Sequence, residues 1–203
     1  MKRITILFSL LLFSSSLHAQ QELKGFYVGL DINCHYLFGG AQVDGKETVG
    51  DGNRWAIGFV GGYRWHFSNN NIFAIEAQIN QPFGSFENRE NQDGTVVKYR
   101  IKPQSALQFN FGRSFGEFNE QVIMGYFAFN QTRFDIDIER PGGNFKQTDF
   151  ENFGRLGLSY ENVWSAGHST RFQMGTSLDA LPDTNNGIDF KATQIYGFGS
   201  SRK

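Results

Sequence analysis

Along this chain apolar and polar residues alternate with a period of two, and no stretch of useful length repeats at the helical period. The run GFVGGYRWHF, residues 58–67, sets the pattern. Phe59, Gly61, Tyr63, Trp65 and Phe67 share one face of an extended strand, and Gly58, Val60, Gly62, Arg64 and His66 share the other. Runs of this kind predict eight strands, over 25–38, 54–67, 72–80, 97–115, 121–138, 149–161, 170–181 and 190–199.

The connections between these strands alternate in length. GGAQVDGKETVGDGN, NQPFGSFENRENQDGT and ERPGGNFKQTD are long, PDTNNGID is intermediate, and SNNN, GEFNE and NVWSAGHS are shorter. Long and short connections on opposite ends suit a barrel crossing a bacterial outer membrane, with long loops outside and short turns in the periplasm. An even strand count returns both ends of the chain to the same side.

Each strand then has two faces. The outward set begins with Phe26, Val28, Leu30, Ile32, Cys34, Tyr36 and Phe38 and continues through Trp55, Phe59, Tyr63, Trp65, Phe73, Ile75, Ile79, Tyr99, Ile101, Leu107, Phe109, Phe111 and Phe115. In the later strands it takes Met124, Tyr126, Phe134, Ile136, Leu156, Leu158, Tyr160, Phe172, Met174, Leu178, Tyr196 and Phe198. Among these outward positions the one charge is Arg113, near a turn. Trp55, Phe59, Tyr63, Trp65, Phe109 and Phe111 are the aromatics expected to meet lipid and its interface. A lipid-facing Arg or Lys costs roughly 2–4 kcal/mol at the bilayer midplane, so a one-residue slip of a strand is penalised strongly.

The other face carries Asp31, Arg64, Glu76, Arg100, Lys102, Arg133, Arg155 and Asp179, together with Asp135, Asp137, Glu151 and Lys191. An eight-stranded barrel is just wide enough for its own side chains, so charges inside it must pair. The expectation is an ion-paired, plugged interior, with Arg64 and Glu76 on neighbouring strands as partners. Gly58 and Gly62 would leave room there for larger side chains. The fifth strand fits poorly, because this phase puts Ile123, Phe127 and Phe129 inside; the eighth, FKATQIYGFG, alternates weakly.

Composition adds boundaries. The 203 residues suffice for one domain. Met1–Arg3 is basic, ITILFSLLLFSSSL is apolar, and Leu17 and Ala19 suit the −3 and −1 positions of a cleavage site. Residues 1–19 are therefore expected to be a secretory signal peptide and 20–203 the barrel domain. Loss of Lys2 and Arg3 leaves 17 basic against 20 acidic residues, which gives no reason to expect nucleic-acid binding. Cys34 is the single cysteine, so no internal disulfide forms. The mean hydropathy of −0.40 does not argue against a membrane barrel, whose polar half-face dilutes the apolar signal.

KGFYVGLDI, AIGFVGGYRWHF before a short turn, and FAIEAQI after it resemble the small porin-like outer-membrane β-barrel family. The resemblance spans nearly the whole mature chain and rests on patterns of glycine and aromatic residues. Such barrels usually end on an aromatic residue, whereas here five residues follow Phe198.

Candidate chemistry is sparse. His35, His66 and His168 fall on different strands or turns without metal-ligand spacing. Asp183, Asn185, Gly187 and Asp189 lack the spacing and closing Glu of an EF-hand and read as a solvated loop. FQMGTSLDALPDTNNGIDF faintly resembles the last hairpin of lipid A deacylases, which implies a role for Ser177, but Gly175 stands where that family has its imidazole.

These observations point to an all-β, eight-stranded antiparallel up-and-down transmembrane β-barrel of a Gram-negative outer membrane. It is expected to be non-enzymatic and monomeric, to use no cofactor or metal, and to anchor external loops for surface interaction or envelope integrity. Its expected partners are outer-membrane lipids and lipopolysaccharide, with an external ligand or host surface met by loops around Asp44 to Asn53 and Phe86 to Gly94. A lipid A deacylase-like enzyme and a soluble lipocalin-like ligand carrier are the alternatives.

Overall fold

The computed structural model describes residues 24–38, 42–43, 46–47, 52–83, 89–90, 96–116, 119–140, 142–165, 167–178 and 186–198. The expected leader over residues 1–19, Asp179 and most of the first two external loops lie outside the described residues. Eight long strands form the wall: β1 (Gly25–Phe38), β2 (Gly52–His66), β3 (Asn71–Phe83), β4 (Gln104–Phe115), β5 (Gln121–Arg140), β6 (Gly143–Ser165), β7 (His168–Leu178) and β8 (Asn186–Phe198). Each pairs antiparallel with the next, and β8 pairs with β1 from Phe26 opposite Phe198 to Phe38 opposite Asn186. The sheet thus closes on itself, as it must where lipid offers no hydrogen bonds to an open edge.

Three tight turns share one end with both ends of the ring. Asn70 adopts φ 63° in the β2–β3 turn, Gly116 and Asn119 adopt φ 92° and 57° in the β4–β5 turn, and Gly167 adopts φ 84° before β7. Glycine and asparagine reach this left-handed region at low cost. The turns are tied to their neighbours: Ser114 N–H donates to Asn70 O (2.9 Å), Val163 N–H to Glu120 O (2.7 Å) and Gly197 N–H to Gly167 O (2.6 Å).

The opposite end departs from expectation twice. First, the predicted fourth strand, 97–115, is broken. Val96–Ile101 pairs with the upper part of β5, Lys102 and Pro103 leave the ladder, and β4 begins at Gln104. Proline has no N–H to give the ladder. Second, the stretch read as a long fifth connection is strand. β5 and β6 stay paired from Asn162 opposite Gln121 up to Gly143 opposite Arg140. Their hairpin rises past Gln131, the last β5 residue paired to β4, by nine residues, about 30 Å at strand spacing.

The outer wall is apolar: Phe26, Ile32, Trp55, Phe59, Phe111 and Leu158 are among its exposed residues, Phe59 at 68%. Tyr63, Trp65 and Phe109 lie half-buried on the same face. Tyr63 contacts Phe26 edge-on and also Trp65, which stacks on Phe73.

The phase expected for β5 is reversed. Met124 and Tyr126, expected outside, are buried, while Ile123 and Phe129, expected inside, are exposed. The reason lies in the lumen. Its floor is apolar, with Met124 clustered against Ile72 and Val122. Tyr126 fills space opened by two glycines: a Cβ on Gly157 would stand 2.6 Å from its ring, and one on Gly175 2.1 Å from its hydroxyl. Gly62 clears Tyr27 in the same way, since a Cβ there would lie 2.8 Å from that ring.

Gly175→Val is expected to cost about 1–3 kcal/mol, because a side chain there also meets Leu156 O at 2.8 Å. Gly142→Ala, where nothing lies within 4 Å of a new Cβ, should leave stability unchanged. Urea unfolding in detergent micelles measures both.

Candidate functional site

The glycines and alternation that build the wall also aim a set of charged side chains into the lumen. Arg64, Arg155, Arg171 and Lys191 face Asp31, Glu76, Glu161 and Asp189, all on the inner face. Arg64 Nη2 donates to both carboxylate oxygens of Glu161, at 2.9 and 2.7 Å. β2 and β6 are four places apart in the ring of eight, so this bridge crosses the whole lumen. Arg171 on β7 reaches Glu76 on β3, also four places away, and its Nε donates to Glu161 at 2.9 Å. The two diameters therefore meet at Arg171, whose side chain is 1% exposed.

Supporting groups complete the cluster. Ser169 Oγ donates to Glu161 at 2.6 Å, and the Tyr27 hydroxyl donates to Glu76. Gln78 Nε2 donates to Glu76 at 3.2 Å and to Gln108 at 2.8 Å, and Gln108 donates to Asn110 at 2.7 Å. The Arg64 guanidinium lies 5.0 Å from the centre of the Tyr27 ring. Nearer the long-connection end, Lys191 lies 3.0 Å from Asp31 and donates to Gln78 at 2.8 Å. Arg155 Nε lies 2.8 Å from Asp189, which also meets His35 Nδ1.

Several expected members are elsewhere. Arg64 does not pair with Glu76: the ladder places Arg64 opposite Ala74, and each charge finds its partner across the lumen. Lys102 and Arg133 are outside, not in the interior network, with side chains 43% and 49% exposed. Both flank Asp135, at 2.9 and 3.5 Å, beyond the top of the closed ring. The reversed phase of β5 is what turns Arg133 and Asp135 outward. A hydrogen bond from Lys102 holds the Asp135 carboxyl below its ordinary pKa. Arg100 is described by its backbone alone, opposite Asp135. Glu161, Arg171 and Asp189 were missed. Their positions obey the same alternation as Arg155, so the signal was present but lay close to turns.

Ser177 is buried on the inner face, and the Tyr126 hydroxyl occupies the space beside Gly175 where an imidazole would have to stand. Among the described residues no group of three His, Cys, Asp or Glu side chains could hold a metal ion.

Above the ring, the β5–β6 hairpin presents a second surface. Residues 142–148 are exposed on both faces, and Phe145 and Phe150 are large apolar side chains left open there.

Arg171→Met is expected to destabilise the barrel by about 3–5 kcal/mol, because it leaves Glu76 and Glu161 buried without their shared cation. Adding Glu76→Gln should recover part of that loss, whereas Arg113→Gln on the outer wall should change stability by less than about 0.5 kcal/mol. Unfolding midpoints in micelles decide the matter.

The family described as "Outer membrane protein beta-barrel domain" matches residues 5–196. A search of curated proteins found no match. Among solved structures, Ail, the attachment invasion locus protein of Yersinia pestis, in complex with the heparin analogue sucrose octasulfate, is similar at 11% identity and a TM-score of 0.49, over 87% of this chain and 100% of that one. Neisserial surface protein A is similar at 13% identity and a TM-score of 0.45, over 86% of this chain and 97% of that one. The beta domain of the Bordetella autotransporter BrkA is similar at 16% identity and a TM-score of 0.37, over 87% and 68%. The match along the sequence and the closed eight-strand ring agree: the chain belongs to the outer membrane protein beta-barrel family and resides in the outer membrane of a Gram-negative bacterium.

Proposed function

We propose that this barrel is a non-enzymatic, non-conducting anchor that holds the β5–β6 hairpin and its neighbouring loops outside the cell for contact with an external ligand or surface. Cleavage after Ala19 would release the mature chain, which acts as a monomer. The observation that carries the reading is the hairpin itself. Two strands run on for about 30 Å past the last pairing with β4, their tip from 142 to 148 is exposed on both faces, and Phe145 and Phe150 are open. Exposed apolar side chains on a rigid element are the usual anchors of an interface. Long connections on the same end favour its placement outside the cell.

The interior supports the non-conducting half of the reading. Salt bridges along two diameters, over an apolar floor, fill a lumen that eight strands make narrow. Asp31, Glu76, Glu161 and Asp189 each lie within salt-bridge distance of a lumen cation, and Gly175 supplies no base for Ser177.

Shortening the hairpin by replacing residues 133–151 with a two-residue turn tests the anchor role. The truncated protein should keep its heat-modifiable migration on gels, while cells displaying it lose adherence to host-cell or matrix-coated surfaces. Unchanged adherence would remove the hairpin from the function. In planar bilayers the intact barrel should show no steady conductance; regular open steps would contradict a plugged lumen.

A further inference from the structure

The break in the wall at Lys102 and Pro103 leaves a groove of about 380 Å³ on the outer surface, lined by Lys102, Pro103, Ser105, Gln131, Arg133 and Phe150 among others. A second groove of about 610 Å³ shares Ser105 and Gln131 with it and extends along Leu107 and Phe129. Together they make a graded surface, whose order the strand register fixes. Leu107 stands opposite Phe129, and two residues higher Ser105 stands opposite Gln131, which donates to Asn152 at 3.2 Å. Two residues higher again Arg133 stands opposite Phe150, with its guanidinium 5.9 Å from that ring. Lys102 N–H donates to Arg133 O at 2.9 Å, so the second cation is at the same level. Apolar, amide and cationic rows follow one another within four residues of strand, about 13 Å.

That order matches the change from hydrocarbon to headgroup at a membrane surface. A cation on the outer wall is tolerated near the interface, where its cost falls to about 0–1 kcal/mol. Asp135 offsets one of the two charges, leaving the trio at net +1 with both cations half exposed. An incoming anion would meet both of them. Phosphate oxygens bond well to guanidinium and ammonium groups.

We propose that these joined grooves bind a phosphorylated glycolipid of the outer leaflet, such as lipid A, with an acyl chain along Leu107 and Phe129 and a phosphate between Lys102 and Arg133. The site lies on the barrel wall, apart from the lumen and from the hairpin tip. It rests on the orientation given above, which protease access to the hairpin on intact cells tests separately.

Native mass spectrometry of the full chain, folded in detergent, gives the test. The probes are bis-phosphorylated lipid A, its dephosphorylated form, phosphatidylglycerol and inorganic phosphate. Wild type and Arg113→Gln, which removes an outer-wall cation at the short-turn end, should retain lipid A equally. The Lys102→Gln, Arg133→Gln double variant should retain about ten-fold less, a loss of about 1.4 kcal/mol. Dephosphorylated lipid A on the wild type should behave as lipid A does on the double variant, and phosphatidylglycerol and inorganic phosphate should bind more weakly than lipid A. Equal retention by the double variant, or of the dephosphorylated lipid, would overturn the proposal. Equal retention of phosphatidylglycerol would overturn the choice of glycolipid, and tight binding of free phosphate would overturn a lipid ligand. Should the double variant fail to shift on heating, Asp135→Asn serves instead: freeing both cations should raise lipid A retention, and no rise overturns the proposal.

Discussion

Closure of the sheet is the constraint from which the rest follows. Within hydrocarbon an unpaired backbone N–H or C=O costs several kcal/mol, so the last strand must return to the first. Here β8 meets β1 along thirteen paired positions, and no edge is left within the ring. Eight strands close at a diameter too small for a water-filled channel, so whatever the inner face carries must pack against itself.

The inner face carries charge, and geometry decides how that charge is neutralised. Neighbouring strands do not supply the main pairs. Long arginine side chains on β2 and β7 span the lumen to glutamates on β6 and β3, and Arg171 links both diameters. Such an arrangement contributes little net stability over an apolar filling, because each ion loses its hydration. Its consequence is specificity. A strand that slipped by one residue would strand its charges in lipid and leave their partners unpaired inside.

A wall held this way can afford irregularity at its rim. Pro103 interrupts the fourth strand, and β5 and β6 continue past the ring with Val96–Ile101 paired along the edge of β5. The rim therefore offers two kinds of surface: a hairpin with exposed aromatic side chains, and a cationic notch on the outer wall beside Lys102 and Arg133. Both arise from the same departure, the uneven heights of strands around the ring.

How much of this was legible in the chain depends on what alternation can report. A period of two names strands and their faces wherever one side must be apolar, so β1, β2 and β3 and the outward rings of Phe59 and Phe111 follow from the residues themselves. The rule fails where both sides are apolar. Met124 at the lumen floor and Ile123 on the wall are equally greasy, and only packing against Ile72 and Val122 decides between them. That ambiguity carried Arg133 to the wrong side. Composition could likewise show that inward charges balance, because burial demands it, and residue types could show Gly175 as unsuited to catalysis. Which arginine meets which glutamate was beyond it: partners across a lumen are set by the stagger and curvature of the closed sheet, and those exist only once all eight strands have come together.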